Sequence, residues 1–158
     1  MPFTQKTFLS LAFLSALCLT TTAVAGPGAN FGSLTLGAGR TSGVLSGTTG
    51  GAVSLPAIVS NSDRHNNKCL GFGDNQPDHL LVLEQDFPSL RLRVNSGGAD
   101  TTLVVQGPGG VVRCGDDTSA SNKDASLNDT NWEAGTYRIW VGTGTPGLRR
   151  DYTLNIRP

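Results

Sequence analysis

The chain has 158 residues, with 12 Lys and Arg against 12 Asp and Glu, 21 glycines and only 6% aromatic residues. A formal net charge of +0 excludes the basic footprint by which a protein condenses onto nucleic acid or an anionic membrane. Few aromatics and abundant glycine favour short strands and many turns over long helices.

The N-terminal stretch MPFTQKTFLSLAFLSALCLTTTAVAG carries one early charge, Lys6, then an uncharged apolar run from Phe8 to Leu19. Ala23-Val24-Ala25 follows, with small residues at the two positions a signal peptidase reads. Residues 1–25 are therefore predicted to be a secretory signal cut after Ala25. The apolar run falls short of the about 20 residues that span a bilayer, so no stable membrane insertion is expected. Leu17 before Cys18 does not fit a lipoprotein signal. Of the 12 basic residues Lys6 leaves with the signal, so 11 face 12 acidic ones in the exported chain. Residues 26–158 fit one domain, secreted or periplasmic.

Residues 26–51 are rich in Gly, Ser and Thr, and short alternations at Leu34 and Leu36 and at Val44 and Leu45 predict one or two short strands. Residues 52–158 are predicted to form a β-sandwich domain. Ala52–Ser60 is its first candidate strand, with Pro56 marking an edge or a bulge because it lacks an amide proton. Asn61–Lys68 reads as a polar loop. HLLVLE follows from His79, and Leu90–Asn95 alternates, with Leu90, Leu92 and Val94 inward and Arg91 and Arg93 toward water. Thr118–Asn131 reads as a long polar loop. Gly135–Gly142 and Asp151–Ile156 alternate again, burying Tyr137, Ile139 and Val141 in one and Tyr152, Leu154 and Ile156 in the other. No window of helical length carries an apolar stripe. Short strands separated by turn residues predict an all-β, jelly-roll-like antiparallel β-sandwich.

With Cys18 in the signal, Cys69 and Cys114 remain. Two cysteines in an exported chain most simply form one disulfide. It would close a loop of about 45 residues, for which chain entropy gives roughly 4 kcal/mol.

The stretch GADTTLVVQGPGGVVRCGDD reads as two strands around a Gly107–Gly110 turn. A four-residue turn there sets Leu103 opposite Cys114, Thr101 opposite Asp116 and Asp100 opposite Asp117. Like charges facing each other on a ladder are destabilising. One reason to place them so is a cation. Calcium takes six to eight oxygen ligands at about 2.3–2.6 Å, and Asp100, Asp116 and Asp117 would be its first ligands. Loop carbonyls and Asp124 or Asp129 could complete the set. The other reading is that Asp favours strand ends because it hydrogen-bonds nearby amides, and is simply solvated.

DTTLVVQGPGGVVRCGDD, WEAGTYRIWVG and YTLNI together resemble the bacterial pre-peptidase C-terminal domain family. The matching features are the Asp-Thr-x-Leu strand at Asp100–Leu103, the Gly turn, the pair Asp116-Asp117, the Ala134–Tyr137 strand entry and the closing Tyr152–Leu154. The resemblance covers about Pro77 to Ile156. It implies a jelly-roll-like sandwich, usually appended to secreted peptidases, of which some members bind calcium or aid attachment to substrate or cell surface. This sequence departs from the pattern in carrying no peptidase domain and in placing a cysteine just before the Asp pair.

An enzyme would need a nucleophile, a base and an oxyanion site together. Neither GxSxG nor HExxH occurs. His65 lies in a polar loop and reads as a solvated residue, and His79 begins a strand. Trp132 and Trp140 could stack on a flat ligand. Trp140 is out of phase with Tyr137, Ile139 and Val141, so it either offers that stacking face or packs under the 118–131 loop. The expected function is an exported, non-catalytic binding or accessory module, with calcium as its cofactor. Expected partners are a polysaccharide, a protein substrate or a component of the cell surface or matrix, and not nucleic acid. The alternatives are a small secreted hydrolase with an unrecognised site and a purely structural envelope protein.

Overall fold

The alternation of Leu90, Leu92 and Val94 with Arg91 and Arg93 is realised as a nine-residue strand, and the same period-two burial runs through most of the chain. A computed structural model describes Met1 and residues 28–158. The signal expected at residues 1–25 lies outside the described residues. The strands are β1 (Ser33–Leu36), β2 (Gly43–Thr48), β3 (Val53–Ser54), β4 (Phe72–Gly73), β5 (His79–Leu83), β6 (Phe87–Asn95), β7 (Thr101–Gln106), β8 (Val112–Ser119), β9 (Asn122–Trp132), β10 (Gly135–Thr143) and β11 (Asp151–Arg157). Their order is β1-β5-β10-β7-β8-β9-β6-β11-β2, with β4 also on β10 and β3 on β4.

The fold is an all-β antiparallel sandwich, as the strand pattern predicts. One pair departs from it, since β1 runs parallel to β5, with Leu34 opposite Leu81. Both strands of the Gly-rich segment are built into the sheets, β1 on β5 and β2 on β11, so no seam divides residues 33–48 from the rest.

β8 belongs to both layers. Val112–Gly115 pair with β7, and Asp116–Ser119 pair with β9. The corner falls at Gly115. A Cβ there would stand 2.3 Å from the Ser126 carbonyl oxygen, so the close approach of β9 needs glycine. Between the layers lies the main core, which includes Leu81, Leu90, Leu92, Leu103, Trp132, Ile139, Leu154 and Ile156. Burying such side chains contributes roughly 1.5–3 kcal/mol each.

The outer face of the β5-β10-β7 layer is covered as well. Residues 53–73 form a strap over it, and Leu55, Cys69, Val104, Val112, Cys114 and Trp140 pack together beneath. The strand expected at Ala52–Ser60 is instead two residues of β3 followed by one helical turn, α1 (Leu55–Ile58). Pro56 sits at the start of that turn, where a missing amide proton costs nothing. Cys69 and Cys114 form a disulfide with Cα atoms 5.2 Å apart, which fastens the strap to β8.

Two further expectations are corrected. The long polar loop at Thr118–Asn131 is the end of β8, a tight turn and the eleven-residue β9. Its polar sequence hides an inward row of Ala125, Leu127 and Asp129, of which Leu127 and Asp129 stand opposite Leu92 and Leu90 on β6. The β7–β8 hairpin is also one residue longer than the four-residue turn predicts. A 3-10 turn at Pro108–Gly110, with Gly109 and Gly110 both left-handed, is closed by the Gly107 amide donating to the Val111 carbonyl. Leu103 therefore faces Gly115, and Val104 faces Cys114. That one-residue slip puts Cys114 on the outer face, where Cys69 reaches it.

Candidate functional site

Asp100 ends the β6–β7 loop, and Asp116 and Asp117 follow the Gly115 corner. The three carboxylates offer oxygens that lie within 4.8 Å of one another. They do not meet as ladder partners. Asp116 pairs with Ser126 and Asp117 with Ala125, so the expected Asp100–Asp117 and Thr101–Asp116 pairings do not form. The bend of β8 brings them together instead. Thr101, buried at the start of β7, accepts a hydrogen bond from the Ala125 amide at 2.8 Å and fixes where Asp100 emerges. The Gly144 amide donates to the Asp100 carbonyl at 3.3 Å from the other side.

Burial, then the facing Asp117 and Asp100 carboxylates, push Asp116 above its ordinary value. Lys123 on β9 contacts Asp117, and that contact raises the lysine in turn. The donor set is chemically that of a hard cation, because all three groups are carboxylates. Asp124 and Asp129 do not join it. Asp124 holds the β6–β7 loop by accepting from the Ser96 amide at 2.9 Å and from the Ser96 hydroxyl.

Asp129 belongs to a second polar centre, which sequence reasoning missed. Arg113, only 3% exposed, points between the layers and donates through Nε to Asp129 at 2.8 Å. Its guanidinium lies 4.3 Å from the Trp132 ring centroid, and one Nη donates to the Asn131 carbonyl. His65 Nε2 stands 3.0 Å from the other oxygen of Asp129, and Arg64 lies 3.6 Å away. Burial alone would raise Asp129. The bonds from His65 and the Thr130 amide, with the two guanidiniums, outweigh it and hold the carboxyl low. The signal that could have found this pair is the period-two row through β9, which puts Asp129 beside Ala125 and Leu127 inside. A cleft of about 300 Å3 is lined by residues of both centres, Asp116 of the first and His65 and Asp129 of the second.

His79 is fully buried, its Nε2 2.9 Å from the Tyr152 hydroxyl. Among the described residues neither histidine ring bonds a serine hydroxyl. Trp140 is only 5% exposed, packed on Leu55 and the disulfide rather than under residues 118–131, so its ring has no face free for stacking a ligand. Trp132 is buried too, covered by Arg113 and Tyr137. Among the described residues no helix is long and apolar enough to cross a membrane.

No family model matches the chain, and no curated protein matches it. Among solved structures, it is similar to PliG of Aeromonas hydrophila, a periplasmic lysozyme inhibitor of g-type lysozyme. Identity is 12%, over 79% of this chain and 96% of that one, with a TM-score of 0.42. A likeness this slight transfers nothing about function from one protein to the other.

Proposed function

We propose that the chain is an exported, non-catalytic binding module whose β8 corner takes a calcium ion. The observation that carries the calcium reading is the convergence of Asp100, Asp116 and Asp117 at the point where one strand changes layers. Bound there, the ion would join the β6–β7 loop to β8 and relieve the repulsion that, after burial, raises Asp116. Lys123 does part of that work as an internal counter-ion, and calcium competes with it for Asp117. The export reading draws on the disulfide and the leader sequence. The non-catalytic reading draws on the two histidines, one sealed beside Tyr152 and the other held by Asp129.

Thermal melts in EDTA and in millimolar calcium test the corner. Ligand at 100 times its dissociation constant stabilises by about 2.7 kcal/mol. For a domain of this size that is a rise in Tm of about 5–10 °C. Asp117→Ala is expected to abolish the rise, and Lys123→Gln to bring it on at lower calcium. An unchanged Tm in millimolar calcium retires the metal.

A further inference from the structure

The two layers have unequal surroundings. The strap covers the outer face of the β5-β10-β7 layer, whereas the outer face of β9, β6, β11 and β2 is open. On that open face Arg91 stands directly opposite Arg157, with Arg93 two residues along the same strand. All three are exposed. Residues directly opposite on a ladder have Cβ atoms about 5 Å apart, and like charges so placed are destabilising. Among the described residues none of the three makes an ion pair; those that form involve Arg64, His65, Arg113 and Lys123. Arg91 also faces Asn128, and Arg93 is flanked by Asn155 and Ser126. The carboxylates on this face are Asp116, whose ladder partner Ser126 is also that of Arg93 and which therefore stands two strand spacings, roughly 10 Å, from Arg93, and Asp151, six residues along β11 from Arg157 and so roughly 20 Å away, where it accepts from Thr48.

We infer that this face binds an acidic polysaccharide, with Arg91, Arg93 and Arg157 taking its carboxylate or sulfate groups. Guanidiniums pair with such anions through two parallel hydrogen bonds. The amides and hydroxyls of Asn128, Asn155 and Ser126 suit the sugar hydroxyls between charges. A protein partner fits less well, because protein interfaces centre on aromatic or aliphatic anchors and this face exposes only Val44 as a large apolar side chain. A nucleic acid fits less well, because exposed bases are held by stacking on aromatic side chains and this face exposes none. The inference deepens the binding-module reading by naming the ligand class, and it does not draw on the calcium corner.

Binding is measured in EDTA, so that calcium plays no part, using fluorescence anisotropy with labelled polygalacturonate and dextran sulfate, and neutral dextran as control. The expected result is salt-sensitive binding of either or both charged polymers and none of neutral dextran. The polymer preferred tells carboxylate from sulfate. Arg91→Ser with Arg157→Ser is expected to weaken binding at least tenfold. Arg149→Ser with Arg150→Ser makes the same change in net charge elsewhere and is expected to leave affinity within twofold. The Arg91 and Arg157 pair of variants is expected to melt no lower than the parent, since it relieves an opposed pair of like charges. Equal weakening by both pairs of substitutions overturns the site, as does failure of the parent to bind either charged polymer. Capture of an acidic protein without either polymer would do the same. A calcium-dependent Tm that survives those failures would leave the corner standing alone.

Discussion

Asp78 and His79 are chain neighbours, both buried, and both pay for it in opposite directions. Asp78 accepts from the Val141 amide at 2.7 Å, yet burial still pushes its carboxyl up to about 6. Burial pushes His79 down to about 4. Raised above its ordinary value, Asp78 stabilises the fold fully below about pH 4, and that contribution is lost as pH rises through about 6. Depressed below its ordinary value, His79 contributes above about pH 6.5 and loses it as pH falls through about 4. Each corresponds to about 3 kcal/mol, so between pH 4 and 6.5 the two slopes nearly cancel. Urea midpoints are expected to vary little across that window in the parent. Asp78→Asn leaves the histidine alone, and stability should then climb with pH; His79→Gln should make it fall. Identical pH profiles for parent and both variants would refute the pairing. At this scale the sequence was only partly legible. A His at the head of an apolar strand could be placed, but its Tyr152 partner lies 73 residues away in the chain. Arg113 could be placed on a strand but given no partner, and Asp129 read as part of a polar loop, because the row of β9 that buries the pair was not visible.

Strands with clean alternation, such as β6, β10 and β11, could be read directly, because period two specifies which face is buried. β9 could not, since Asn, Ser and Thr fill its outward positions and two carboxylates, at Asp124 and Asp129, are buried with dedicated partners. The β7–β8 turn was misread by one residue because two left-handed glycines after Pro108 allow a longer loop than a four-residue turn. The acidic cluster was nonetheless visible, because all three residues lie at the open end of that hairpin, whatever its register. What the sequence did not show is that β8 bends there. Gly115→Ala places a methyl against backbone rather than a flexible side chain, so the neighbour cannot swing aside. Overpacking of this kind costs about 1–3 kcal/mol. A lower urea midpoint with an unchanged denaturant slope is the expected reading, and a parent-like midpoint would show that the corner tolerates a side chain.

The whole molecule is asymmetric: one layer is sandwiched between core and strap, and the other turns a polar face to its surroundings. That asymmetry follows from the disulfide, whose pairing was plain from counting cysteines, while the strap it fastens was not. Cys69 comes from irregular chain, and no periodicity announces that residues 53–73 lie flat on a sheet. Replacing both cysteines with alanine removes a constraint worth up to about 4 kcal/mol by chain entropy. The loss is expected to show as a lower Tm and, because Trp140 lies under the strap, as red-shifted tryptophan emission before global unfolding. Coincident loss of both signals at the parental Tm would mean that the strap holds without its bond.

Two exposed turns with left-handed glycines, Gly97–Gly98 and Gly109–Gly110, lie between Cys69 and Cys114 in the chain. Proteases favour such tips. A single nick at either one still yields two fragments joined covalently, and each fragment keeps strands woven into both layers. Cleavage at these exposed tips therefore need not release a piece of the molecule.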